Sequence, residues 1–347
     1  MKARSALFVL LTSAVFGAGL WTGWHFRRPS LDLFAVNKEL AFQTRLGQKP
    51  GSLINPLVAC DTATQKNFEE LNPLRDDLAA LIKTSLQNQS ASRISVYYRD
   101  LNSGRWTGVN QDDKYIPASL VKVPLLMTYY KMADSDPKIL DKKLLFQSDQ
   151  DENLNQVLAK PPTPLTQGKE YSVEELISRM IAYSGNNSHL LLANQLDPNY
   201  RKKIYEDLGV QYSQDFESPT VDSVSPRSFA TFFRVLYNST YLGEEMSEKA
   251  LQLLTQTTFT DGLAAGVPKD TTVAHKFGER TIFYNSTGEV VLRELHDCGI
   301  IYYPDRPYAL CVMTQGQNFD KLKGIISDIS RQAYQFSDHP TVISQHQ

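Results

Sequence analysis

Apolar and polar positions divide this chain into three regimes. The first is an apolar run from Ser5 to Phe26, preceded by Lys2 and Arg4 and stopped by Arg27 and Arg28. Its length suits a membrane-spanning helix, at roughly 20 residues per bilayer. We expect an uncleaved anchor through residues 5–26, within a leading segment 1–28; the rival reading is a signal peptide that is removed. Basic residues on both sides specify orientation weakly. Either reading puts the remainder outside the cytoplasm if the amino terminus stays in. Residues 29–66 follow as a tether, broken by Gln48-Lys49-Pro50-Gly51-Ser52.

The second regime is strand-like and sits at both ends of the remaining chain. Arg93 to Leu101 alternates and is β-branched, Asn102-Ser103-Gly104 turns, and Arg105 to Gly108 begins a return strand. Thr272–Phe277 and Tyr308–Thr314 read as strands near the carboxyl end, and between them Glu289–Leu295 and Asp297–Tyr303 read as one long strand or two. The third regime is helical. Leu74, Leu78, Leu81, Ile82 and Leu86 predict a helix from Asn72 to Gln87, with Asn72 as cap and Pro73 at its first position. Apolar spacing near three or four predicts helices over Val173–Tyr183, Ser188–Leu196, Tyr200–Leu208, Pro226–Tyr237, Glu244–Thr257 and Phe319–Phe336. Strands therefore bracket a helical middle, and the two halves of a sheet must meet across it. This is an α+β domain over 67–336 with a helical lobe, a cleft between lobes, and a polar tail at 337–347.

Composition narrows the picture. The 347 residues are 41% hydrophobic with a net charge of -2, which gives an ample core and no basic surface for nucleic acid. Three cysteines and six histidines occur without CxxC or HExxH, so no metal and no cofactor is expected. Cys298 and Cys311 fall on neighbouring strands. A bridge and two buried thiols both remain open, since the register estimated from the turn sets them diagonally. A monomer is expected.

Ser119 and Lys122 lie three apart, after Pro117 and at the head of an apolar run. On a helix that spacing puts both on one face. A serine hydroxyl needs a base to become a nucleophile, and a neutral lysine one turn away can supply it. Ser135 and Lys138 share the spacing, so the pair alone decides nothing. Pro124, inside the same helix, should cost one bond near its first turn. Two further motifs follow in order: Tyr183-Ser184-Gly185-Asn186-Asn187 on a turn between helices, and His275-Lys276-Phe277-Gly278 at the end of a strand.

The ordered set resembles the serine β-lactamase and penicillin-binding protein superfamily, closest to class A β-lactamases, which carry S-x-x-K, S-x-N and K-T-G in this order. Val96–Gly104, Ser225–Ala230 and Gly262–Pro268 also match segments of that family, so the resemblance spans roughly Leu71 to Tyr334. It implies an antiparallel sheet flanked by helices, and an active-site serine hydrolase that opens β-lactam rings through an acyl-serine. The alternatives are a D,D-peptidase acting on D-alanyl-D-alanine stems of peptidoglycan, and a sensing module acylated without turnover.

It implies these roles. Ser119 is the nucleophile and Lys122 its base, neutral through burial and the nearby Lys276. Ser184 relays a proton to the leaving nitrogen. Asn186 binds the substrate amide. The N–H groups of Ser119 and Glu279 hold the oxyanion, and Gly278 admits substrate to the strand edge. His189 and His275 are expected to be packing residues or to support the residues of the site from behind. Two departures stand out. Phe277 replaces the family's threonine, whose hydroxyl helps hold the substrate carboxylate; Arg280 or Arg293 is the expected substitute. The loop before Pro226 ends in a fitting Asp222 but is short and lacks E-x-x-L-N, leaving Glu217 as the one nearby candidate for the deacylating base.

Overall fold

The computed structural model describes residues 43–44, 52–55, 57–58, 68–210, 223–284 and 287–338. The chain forms two units. In the smaller one, Met1–Arg45 with Leu57–Ala59, the described part is a ribbon of Gln43–Thr44 paired antiparallel with Leu57–Val58. Among the described residues no helix is long and apolar enough to cross a membrane. The run Ser5–Phe26, Glu217, Asp222 and the tail from His339 lie outside the described residues.

The larger unit is built on five antiparallel strands: β1 (Arg93–Asp100), β2 (Trp106–Val109), β3 (Val273–Phe283), β4 (Val290–Ile301) and β5 (Tyr308–Gly316). Their order is β2-β1-β5-β4-β3. The two halves of the sequence meet where β1 pairs with β5, from Arg93 opposite Gln315 to Asp100 opposite Tyr308. Helices α1 (Asn72–Gln87) and α8 (Phe319–Asp338) cover one face, packing Leu74, Leu78, Ile326 and Ile329 in one core with Val96, Tyr98 and Val312. The opposite face shares a core with the inserted helices: α2 (Lys122–Ser135), α3 (Val173–Ala182), α4 (Asn186–Ala193), α5 (Pro198–Asp207), α6 (Pro226–Tyr237) and α7 (Glu244–Leu254).

Several expected boundaries shift, each for a local reason. Burial on β1 does not alternate: Ile94 to Tyr98 are all buried, because both sheet faces are covered. Of the two readings left open for Glu289–Tyr303, the single long strand holds: it is β4. Asn72 is the first residue of α1 rather than its cap, with Leu71 before it and no side-chain cap. Ser119 sits in a 3₁₀ turn, Ala118–Val121, that leads into α2. Pro124 is then the third residue of α2, where an N–H has no intrahelical partner to lose. The expected lost bond does not arise. Ser337, expected to open the polar tail, belongs to α8: it is buried and donates its hydroxyl to the Ala333 carbonyl at 3.0 Å. α6 keeps its predicted bounds, and its ends explain why: Pro226 opens it, and Ser225 with Ser228 forms a reciprocal cap.

Two features were not readable from patterning. Cys298 and Cys311 are directly opposite across β4 and β5, and they form a disulfide. The register guessed from the turn had set them diagonally. Upstream, Ser52 to Asn55 dock on the helical side. Glu248 Oε2 accepts the Ser52 hydroxyl at 2.8 Å and the Leu53 N–H at 2.7 Å, while the Asn55 N–H bonds the Tyr237 carbonyl at 2.6 Å. Ile54 joins the core.

Candidate active site

The 3₁₀ turn brings Ser119 to the junction of sheet and helical lobe. Ala118, just before it, is held at φ 47°, a left-handed conformation that costs a non-glycine residue about 1–3 kcal/mol. Strand β3 braces the turn from behind. A side chain at Gly278 would meet the Pro117 carbonyl at 3.0 Å and the Ser119 and Leu120 nitrogens at 3.2 Å. The missing Cβ therefore makes room for the nucleophile turn, whereas the sequence suggested room for substrate.

Lys122 is 1% exposed. Its Nζ lies 2.7 Å from Ser119 Oγ, 2.7 Å from the Ser184 carbonyl, 3.2 Å from Ser184 Oγ and 2.7 Å from Asn186 Oδ1. Two of these partners, the Ser184 carbonyl and Asn186 Oδ1, only accept. The Asn186 amide is oriented by its nitrogen, which donates to the Glu152 carbonyl at 2.9 Å. A neutral amine has two N–H donors and one lone pair. The two acceptors use both donors, and the lone pair is left for the Ser119 hydroxyl. Burial, then the charge of Lys276, holds Lys122 well below the usual lysine range; Glu279 opposes this.

Lys276 is fully buried. Its Nζ donates to Ser184 Oγ at 3.0 Å and to the Phe277 carbonyl at 2.8 Å, with the Phe277 ring centroid 4.2 Å away. Burial lowers it to about 7, against the pull of Asp297 and Glu279. Ser184 thus stands between two lysines. Its φ of 55° is also left-handed, and its carbonyl is held by Gln156 Nε2 at 3.0 Å.

The bond from Lys276 to the Phe277 carbonyl shows that this carbonyl faces away from β4. Along an antiparallel strand, backbone groups two residues apart face the same way. The Glu279 N–H therefore faces the cleft from the sheet edge. The Phe277 side chain does not enter the cleft. It is fully buried against Phe259, with ring centroids 4.5 Å apart. Arg280 lines the cavity and is paired with the buried Glu294 at 3.2 Å. Arg293 instead lies over Phe319, 4.8 Å from its centroid. His275 bonds Asp297 through Nδ1 at 2.8 Å in the core, and the Asp297 carboxylate also accepts the Leu263 N–H. His189 lines the cavity, and burial with the charges of Lys122, Arg201 and Lys276 lowers it to about 3.

Sequence patterning missed the loop 146–169, which closes the site. It is pinched by a ribbon of Lys143–Leu145 with Glu170–Ser172. Asn153 Oδ1 accepts the Asn186 N–H at 2.8 Å, capping α4 from outside because Gly185 has no side chain to do so. The loop has neither helical nor alternating periodicity, so only its Asp-Glu-Asn-rich run hinted at turns. With α2, α4 and α5 it borders a cavity of about 500 Å³ lined by Ser119, Lys122, Glu152, Asn186, His189 and Glu279, among others. Among the described residues no group of three His, Cys, Asp or Glu side chains is placed to hold a metal ion.

Comparison with known proteins agrees with this geometry. Residues 73–337 match the family model described as the beta-lactamase enzyme family. A beta-lactamase of Streptomyces albus G is 26% identical over 264 residues, covering 71% of this chain and 80% of its own. A class A beta-lactamase from Mycobacterium abscessus superposes with a TM-score of 0.64 at 23% identity, covering 77% of this chain and 100% of its own. The L158E mutant of PBP-A, solved as an acyl-enzyme complex with penicillin G, gives 0.64 at 20% identity, covering 77% and 97%. These two likenesses show the fold. The fold, the paired lysines around two serines and the family match lead to one conclusion: the chain belongs to the beta-lactamase enzyme family, as an active-site serine hydrolase of β-lactams.

Proposed function

We propose that Ser119 opens the β-lactam ring and carries the acyl group. The observation that carries this reading is the 2.7 Å approach of a buried lysine amine to the Ser119 hydroxyl. Ser119 Oγ attacks the ring carbonyl, and its proton passes to the lone pair of Lys122. The oxyanion is held by the N–H groups of Ser119 and Glu279. The ring C–N bond then breaks. The proton moves from Lys122 through Ser184 Oγ to the departing nitrogen, which leaves a neutral lysine and an acyl-serine ester. Asn186 holds the substrate's amide side chain. Arg280 stands in for the absent threonine hydroxyl toward the substrate carboxylate. Water then cleaves the ester, with Glu217 of segment 211–222 as base.

Mixing the protein with penicillin G tests this by mass spectrometry. The chain is expected to gain one whole penicillin molecule, because ring opening expels nothing. Ser119→Ala should gain none. An adduct that disappears within seconds supports hydrolysis. The second reading is a D,D-peptidase acting on peptidoglycan stems, favoured by the absence of E-x-x-L-N before Asp222 and by the likeness to PBP-A. It expects a persistent adduct and release of D-alanine from a stem peptide. A persistent adduct without peptidase activity would point to a sensor. A wild-type chain that takes up no penicillin would end the nucleophile reading.

Lys276 supplies a pH test. Its charged form donates to Ser184 and opposes a proton's return to Lys122. It is charged below about 7 and neutral above. Acylation is expected to fall as pH rises through that value, and Lys276→Arg, which stays charged, should carry the limb to higher pH. A profile with the same limb in both proteins would exclude Lys276 as its source.

The domain is read as a monomer held outside the cytoplasm through residues 5–26. Two observations support this placement: the apolar run itself, and the Cys298–Cys311 bridge, since disulfides persist in oxidising compartments.

A further inference from the structure

Successive backbone amides of the loop 146–169 converge on one carboxylate. The Val157 N–H donates to Glu279 Oε2 at 3.0 Å, and the Leu158 N–H to Oε1 at 3.0 Å and Oε2 at 3.2 Å. Consecutive N–H groups turned to one point form a cradle for an anion. The Val157 side chain is 60% exposed, while Leu158 packs partly buried against the core and Ala159 is buried in it. The carboxylate therefore acts on the exposed end of the stretch, beside apolar burial at the other.

What the stretch carries gives the contact its meaning. Gln156, one residue before the cradle, donates through Nε2 to the Tyr183, Ser184 and Ala159 carbonyls at 3.2, 3.0 and 3.0 Å. Asn153 caps the Asn186 N–H, and the Glu152 carbonyl holds the Asn186 amide nitrogen. Ser184 and Asn186 are two of the groups bonded to Lys122. Glu279 itself follows Gly278, which abuts the Ser119 turn. An unbroken series of contacts therefore runs from the sheet edge, through the loop, to the groups that set Lys122.

We infer that the Glu279 side chain is a positioning element: it pins the loop to the sheet edge and thereby fixes Ser184 and Asn186 against Lys122. Its backbone N–H faces the cleft independently of this. The side chain works as an anion. Hydrogen bonds to an ionised acceptor are about twice as strong as neutral ones, and the three contacts from the two amides use both oxygens. Glutamine offers one oxygen and turns an NH₂ group toward N–H donors. Burial works against the charge and raises the Glu279 pKa, while the Leu158 and Val157 N–H groups and the charge of Lys276 favour it. The effect on rate rests on Ser119 being the nucleophile; the pinning does not.

Hydrogen–deuterium exchange and acylation by penicillin G, measured on the whole chain, test the two parts separately. In Glu279→Ala the Val157 and Leu158 amides should exchange at least about tenfold faster, as loss of a charge-assisted bond implies. Glu279→Gln should be intermediate. Acylation should slow by about 10–100-fold in the alanine variant, and less in the glutamine variant. The loss should fall on the acylation step rather than on penicillin affinity, with circular dichroism unchanged. Unchanged exchange at 157 and 158 overturns the pin. Faster exchange with wild-type acylation overturns the link to Ser184. If the alanine variant does not fold, the glutamine variant decides both. A wild-type chain that takes no penicillin sinks the nucleophile reading instead, and exchange still decides the pin.

Discussion

Lys122→Arg is expected to slow acylation by about 10²–10⁴-fold, the range a positioned general base contributes. Arginine keeps the positive charge and most of the length of lysine, but its guanidinium has no lone pair to accept the Ser119 proton. Lys122 can act because its pocket makes the charge costly: it is 1% exposed and faces Lys276 across Ser184. The substitution removes basicity while leaving a donor to the Ser184 carbonyl and Asn186 Oδ1. Stopped-flow acylation by a chromogenic cephalosporin reads the loss. Lys122→Met, which has similar length and no charge, separates chemistry from folding, since it removes the base without burying a cation. Acylation by either variant within about threefold of wild type, far short of the expected loss, would mean that the proton leaves Ser119 by another path.

The second large effect is expected from one methyl group. Gly278→Ala places a Cβ 3.0 Å from the Pro117 carbonyl and 3.2 Å from the Ser119 and Leu120 nitrogens. All three are backbone atoms, so no side chain can swing away. Either β3 or the nucleophile turn must shift. The turn already holds Ala118 in a left-handed conformation, and the sheet is covered on both faces. We expect the displacement to appear at Ser119, with acylation falling about 10²-fold, as a misplacement near 1 Å does. Stability should fall by about 1–3 kcal/mol, the usual cost of overpacking. Denaturant unfolding and acylation kinetics on one preparation measure both. Unchanged acylation with reduced stability would show that the sheet, not the turn, absorbs the methyl group.

The two results depend on different kinds of information. The chemistry at Lys122 was legible in the sequence, because Ser119, Lys122, Ser184 and Lys276 are each carried by a short motif in a recognisable element. Strands and helices were legible for the same reason: apolar spacing records burial, and α6 even announces its ends with Ser225 and Pro226. The crowding at Gly278 was not legible. Which way a missing Cβ points depends on strand register and on a partner 160 residues away in the chain. The loop 146–169 was hidden for a related reason. Its work is done mostly by backbone carbonyls and amides, at Glu152, Val157 and Leu158, which any residue except proline could supply. Register also decided the cysteines. A diagonal guess and a direct pairing differ by two residues of turn length, since Ile301 rather than Tyr303 stands opposite Tyr308, and turn length is the least certain quantity in a hairpin read from sequence. Phe277 shows the converse. Its departure from the family was plain in the sequence, but only the packing against Phe259 shows that the substitution removed a polar group from the cleft without adding a bulky one.

The docking of Ser52 to Asn55 on Glu248 and Tyr237 moves the edge of the folded unit upstream by about 20 residues from the start of α1. A chain cut at Leu71 would leave the Glu248 carboxylate without the Ser52 hydroxyl and the Leu53 N–H, and would strip Ile54 from the core. A stretch that reads as tether is therefore part of what holds α6 and α7.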